Sequence, residues 1–173
     1  MKIAALQMVS TTRVDSNLAT ARRLIAQAAR DGARLVALPE YFCFMGRDDR
    51  DKLALAEAPG DGPIQHALAE MARAHAVWVM GGTLPLRCGD ADRVLNSTCV
   101  FAPDGRLAAR YDKMHLFRYD NGREHYDEGR VLRPGDVPVA FDAEGLRVGL
   151  SVCYELRFPE LYRRLTFAEG QRA

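Results

Sequence analysis

No apolar run in this sequence approaches the roughly 20 residues that a bilayer-spanning helix needs. The opening segment, Met1-Lys2-Ile3-Ala4-Ala5-Leu6-Gln7-Met8, is too short an apolar run for a signal peptide and has no cleavage pattern. A cytoplasmic location is the expectation. Charge of one sign is also missing. The net charge is +1, with acidic and basic residues interleaved, so there is no electrostatic case for nucleic acid or an anionic membrane as partner. The four cysteines, Cys43, Cys88, Cys99 and Cys153, form no C-x-x-C pair, and no two histidines have helical zinc-site spacing. A zinc site is therefore not expected, and free thiols are expected rather than disulfides. Internal repeats and low-complexity segments are absent as well.

What remains is the composition of an ordinary globular protein. Hydrophobic residues make up 48% and charged residues 27% of 173, enough for a real core in one domain spanning residues 1–173. Lys2 to Met8 reads as a buried strand. Asp15 or Ser16 can cap a helix whose apolar positions, Leu18, Ala21, Leu24, Ile25, Ala28 and Ala29, recur at helical spacing until Gly32. Arg34 to Leu38 reads as a second buried strand, giving a βαβ unit. Gly62-Pro63 opens a helix marked by Ile64, Ala67, Leu68 and Met71, and Val77 to Leu84 follows as a strand. Val94 to Ala102 and Leu107 to Tyr111 flank the turn Pro103-Asp104-Gly105 as a hairpin. Residues 112–136 read as a long polar loop, and loops of that length in compact domains are usually functional. Val137 to Phe141 and Leu146 to Val152 are two more strands, and Pro159 starts a helix through Leu161, Tyr162 and Leu165. The class is α/β or α+β with mixed strand order.

Three chemistry-bearing residues share one signature. Glu40, Lys113 and Cys153 each lie just beyond an apolar strand, where α/β sheets gather side chains around a ligand crevice. Cys153 stands between a strand and Phe158-Pro159-Glu160, the setting of a sharp turn that exposes a nucleophile. Its thiol needs activation: a nearby cation lowers its pKa and a nearby carboxylate can take its proton. Glu40, between Pro39 and Tyr41-Phe42, has apolar flanks that suit a general base. Lys113 can hold an oxyanion as a fixed point charge. Taken singly, each has a plainer reading, as an inert buried thiol, a solvated glutamate and a surface lysine. His115 and His125 are alternative partners for Cys153 in a Cys-His hydrolase, with His115 also readable as a group that orders the loop beside Lys113.

Four segments in order resemble the nitrilase superfamily, or carbon-nitrogen hydrolases: Ile3-Ala4-Ala5-Leu6-Gln7-Met8, Leu38-Pro39-Glu40-Tyr41-Phe42, Tyr111-Asp112-Lys113-Met114-His115-Leu116-Phe117, and Val148 through Cys153-Tyr154-Glu155-Leu156-Arg157-Phe158-Pro159-Glu160-Leu161. The segment Lys113 to Phe117 with Asn121-Gly122-Arg123-Glu124 and Gly135-Asp136 resembles the Nit-type amidases, the branch of omega-amidase and deaminated glutathione amidase. The resemblance implies a Glu40-Lys113-Cys153 triad, Glu128 as a second glutamate near it, and the Tyr154 backbone N–H as an oxyanion donor. It implies hydrolysis of a small carboxylate-bearing amide through a thioester, without a cofactor. Arg118, Arg123, Arg130 and Arg133 are candidates for the carboxylate contact, or else a solvated face. The implied fold is an α+β, four-layer α-β-β-α sandwich whose members pair as homodimers. Members of the family continue beyond the nucleophile helix, so the C-terminal part of the sandwich is expected to be missing here, with Gln171-Arg172-Ala173 leading toward a further strand. The alternatives are an inactive remnant serving only as a binding or structural fragment, a nitrilase, or an N-carbamoyl hydrolase.

Overall fold

The computed structural model describes residues 1–166; the segment expected to lead into a further strand lies outside the described residues. The chain opens with β1 (Ile3–Ala5), α1 (Val14–Arg30) and β2 (Leu35–Ala37). β1 and β2 pair in parallel, so the expected βαβ unit is present. α2 (Pro63–His75) leads into β3 (Trp78–Arg87), parallel to β2, and β4 (Val94–Phe101) and β5 (Leu107–Asp112) add antiparallel neighbours. The result is one mixed five-stranded sheet in the order β1-β2-β3-β4-β5.

Side chains alternate across the sheet. One face meets the helices: Ala21, Ile25, Ala28, Leu68 and Met71 pack on Val36, Val79, Leu84 and Cys99. Gly81 belongs to this face, since a Cβ there would sit 2.3 Å from Leu68 Cδ1. On the other face Leu35, Val100 and Tyr111 meet Phe141, Ala143, Leu150 and Val152. These come from β8 (Ala140–Ala143) and β9 (Leu146–Gly149), an antiparallel pair, and the segment after it. Between β5 and β8 lies a short hairpin of β6 (Arg118–Asp120) and β7 (His125–Asp127). α3 (Pro159–Thr166) follows the Cys153 segment and rests on β9, where Leu165 closes on Gly149. Helices, sheet, the two-stranded piece and α3 thus follow the layer order of an α-β-β-α sandwich.

Four expectations need correction. β1 is an edge strand with a single neighbour, and Ile3 is 56% exposed, so it is not buried. α1 begins at Val14 after Arg13, with no side-chain cap; Asp15 lies inside the first turn, where its charge favours the helix dipole and pairs with Arg13 at 2.6 Å. β3 runs on to Arg87 through Pro85, because the β4 partner keeps its register there past a bulge between Gly82 and Leu84. Residues 112–136 are not one irregular loop, since local pairing of Arg118 with Asp127 and of Asp120 with His125 folds their middle into a hairpin.

Candidate active site

Glu40 follows β2 by three residues. The chain turns tightly at Pro39, whose carbonyl accepts from Phe42 N–H at 3.2 Å. Fully buried Phe42 pins the turn into the helix-side core, and Tyr41 takes φ +56°. Such a conformation costs a non-glycine residue about 1–3 kcal/mol and persists only where the surroundings enforce it. Lys113 comes directly after β5. Its N–H continues the ladder to the Asn96 carbonyl at 3.0 Å, which sends its side chain to the face opposite the helices.

The Lys113 side chain is wholly buried between two carboxylates: Nζ donates to Glu128 Oε1 at 2.9 Å and to Glu40 Oε1 at 3.2 Å. Glu128 is itself held, since its Oε2 accepts from Phe117 N–H at 2.7 Å. Burial opposes the Lys113 charge, but Glu40 and Glu128 outweigh it and the ammonium pKa is raised. Asn96 Nδ2 donates to Glu40 Oε1 at 2.7 Å. One carboxylate oxygen of Glu40 therefore carries both donors, and Oε2 is left for a substrate or a thiol.

Cys153 stands at the first position of a 3-10 turn, Cys153–Arg157, with φ +52°. The expected sharp turn is present, although the strand ends earlier, at Gly149, and residues 150–158, five of them the 3-10 turn, separate it from α3. Of the four cysteines, Cys153 is the exposed one; Cys43 and Cys99 are buried, and burial pushes both thiols up to about 12. The Cys153 thiol is also pushed up, first by desolvation and then by the Glu40 charge, against the opposing pull of Lys113. The expected activation by lysine is thus present but outweighed. A cavity of about 220 Å³ opens between Leu38, Glu40, Gly82, Thr98, Val152 and Cys153. A second, of about 410 Å³, lies on the Glu128 side against Tyr41, Lys52, Phe117, Tyr126 and Arg130.

Glu40, Lys113, Glu128 and Cys153 are therefore brought together. Tyr154 follows in the Cys153 turn, its ring edge-on to Phe117 at 5.3 Å and Phe158 at 5.2 Å. The histidines are engaged elsewhere. His115 stacks on Phe158 at 3.8 Å and lies beside Glu155, while His125 pairs with Asp120 on the exposed hairpin. Neither histidine lines the cavity at Cys153, which disfavours a Cys-His pair. Of the four arginines, only Arg130 lines the larger cavity; Arg118 pairs with Asp127, Arg133 donates to the Cys88 carbonyl, and Arg123 sits in the exposed hairpin turn.

Two residues of this region escaped the reading from sequence. Asn96 sits in a polar trio, Asn96-Ser97-Thr98, inside an otherwise apolar strand, and that interruption was the available signal. Glu155 is completely buried two residues after Cys153, and nothing in its sequence neighbourhood marks it as buried.

Residues 2–171 match the carbon-nitrogen hydrolase family, and the chain belongs to that family. Within it, the chain is 37% identical over 167 residues to a deaminated glutathione amidase of Synechocystis, covering 94% of this chain and 61% of the relative. It is 35% identical over 161 residues to the human omega-amidase NIT2, covering 92% of this chain and 57% of the relative. Both lie in the Nit branch of the nitrilase superfamily. The chain thus spans about three-fifths of the length of these curated relatives. Among solved structures, the C. elegans NitFhit protein superposes with a TM-score of 0.82 at 32% identity, covering 92% of this chain and 39% of that one.

Proposed function

We propose that residues 1–173 belong to one carbon-nitrogen hydrolase domain that converts a small carboxylate-bearing amide to its acid and ammonia, with Cys153 as nucleophile, Glu40 as proton shuttle and Lys113 as oxyanion holder. The observation that carries this reading is the buried Lys113 ammonium between Glu40 and Glu128, with the exposed Cys153 thiol lining the same cavity as Glu40. An ammonium has three N–H donors. Two go to the glutamates, and the third is free for a developing oxyanion.

The chemistry follows from these positions. Cys153 Sγ attacks the amide carbon while its proton passes to Glu40, and the carbonyl electron pair moves onto oxygen. The oxyanion is held by Lys113 and the Tyr154 backbone N–H. The intermediate collapses with C–N cleavage, Glu40 returns the proton to the leaving nitrogen, and ammonia departs. Water then adds to the thioester with Glu40 taking its proton. C–S cleavage releases the acid, and the thiol regains its proton. A raised thiol pKa fits this sequence, because the proton leaves only as the C–S bond forms. Glu128 holds Lys113 in place and stays outside the proton transfers. The names of the relatives support an amide substrate, and Arg130 in the larger cavity is the arginine suited to a substrate carboxylate. Pairing of two copies is part of the same reading, and size-exclusion chromatography tests it.

The catalytic reading is tested by intact-mass analysis after exposure to small carboxylate-bearing amides, with ammonia measured alongside. An acyl adduct on Cys153, lost together with ammonia release in Cys153→Ala, is the expected result. Full ammonia release from folded Cys153→Ala would refute it.

A further inference from the structure

Glu155 makes more hydrogen bonds than any catalytic side chain proposed above, and only the one from Val152 N–H, which caps its own turn, is local. Its carboxylate is fully buried. Oε1 accepts from Met114 N–H at 2.8 Å, His115 N–H at 3.1 Å and the Tyr111 hydroxyl, and His115 Nδ1 lies 3.3 Å away. Oε2 accepts from Val152 N–H at 2.7 Å. The two oxygens thus divide between two segments. One holds the chain on both sides of Lys113, and the other holds the residue before Cys153.

We propose that Glu155 is a positioning residue that ties the Lys113 strand end to the Cys153 turn and so fixes the distance between oxyanion holder and nucleophile. This rests on the amidase reading of Cys153 and Lys113. Burying a carboxylate is costly unless its oxygens are satisfied, and a surplus of donors from two separate segments is how this one is satisfied. Cys153, held at positive φ, has no regular secondary structure on its N-terminal side to fix it, because β9 ends at Gly149. The bond from Glu155 to Val152 supplies that fixation. A reacting atom displaced by about 1 Å costs on the order of 100-fold in rate.

Glu155→Gln separates the two arms. An amide oxygen can still accept from the Lys113 side, but the amide NH2 then faces the Val152 N–H, donor against donor. The expected result is a folded protein by near-UV circular dichroism in which kcat falls about 100-fold while KM changes little. Tyr111→Phe removes one donor from Oε1 and leaves both arms tied, so its kcat should stay near that of the wild type. A folded Glu155→Gln protein with wild-type kcat would overturn the proposal, as would an equal loss in Tyr111→Phe. A second measurement needs neither variant nor activity. In the wild-type chain the amide protons of Met114, His115 and Val152 should exchange with deuterium as one protected unit. Free exchange at Val152 beside protected Met114 and His115 would overturn the tie even if Glu155→Gln does not fold. If the wild-type chain releases no ammonia but the three amides exchange together, the amidase reading fails and the tie stands.

Discussion

On one side of the five-stranded sheet, α1 and α2 press Ile25, Leu68 and Met71 onto Val36, Val79 and Leu84, while their buried polar residues, Asn17 and Gln65, sit in the first turns of the helices and bond the Cys43 carbonyl and Glu57. On the other side, the same strands present Asn96, Thr98, Tyr111 and then Lys113, and three carboxylates close over them. β4 serves both faces. Leu95, Cys99 and Phe101 point into the helix-side core, while Asn96 and Val100 point toward the site. The helix side gains stability from area removed from water. The site side holds an ammonium, Glu155 and an amide out of water, and each must be met by designated partners. One sign of the cost is Asn96 Oδ1, a buried acceptor without a partner among the described residues.

The two faces should therefore answer differently to substitution. Leu68→Ala on the helix side should lower unfolding free energy by about 2–5 kcal/mol, measured by denaturant titration, because it opens a cavity where Leu68 fills the space over Gly81. Catalysis per folded molecule should survive. Asn96→Leu on the site side should do the reverse. It removes the unpartnered Oδ1, so stability should change by about 1 kcal/mol or less. It also removes the donor on Glu40, so kcat should fall at least about 10-fold by analogy with other positioning losses. A large loss of stability with unchanged kcat would erase the contrast.

The smallest effect expected is a pH dependence. Lys113 has a raised pKa in the fold, so the folded chain holds its proton more tightly than the unfolded chain. Its contribution is complete below the unfolded value of about 10.5 and is lost as pH rises through the higher folded value. The stability difference between wild type and Lys113→Met should be constant below that pH and shrink above it, followed by urea titration at stepped pH.

How much of this was legible beforehand follows the same division. The helix-side core could be read from periodicity, since Ala21, Ile25, Ala28, Leu68 and Met71 recur at helical spacing and pack where expected. The ends of β2 and β5 and the turn after β9 could be read from apolar runs followed by Glu40, Lys113 and Cys153. The hairpin at Arg118–Asp127 could not, because its strands are polar, three residues long and exposed. The exposure of Ile3 was hidden because an edge strand and a central strand of the same composition look alike. Asn96 was hidden because its bond to Glu40 spans 56 residues, and Glu155 because all but its bond to Val152 span 40 residues or more, distances that composition does not encode.

The central claim is that Glu40 and Lys113 act on the Cys153 thiol from opposite electrostatic sides. The rate of Cys153 alkylation by iodoacetamide, followed against pH by mass spectrometry, tests it directly. In the wild-type chain the midpoint should lie above 9.0, the ordinary thiol value. Lys113→Met should move it higher, and Glu40→Gln should move it lower. Midpoints that move together, or stay where they are in both variants, would contradict the account.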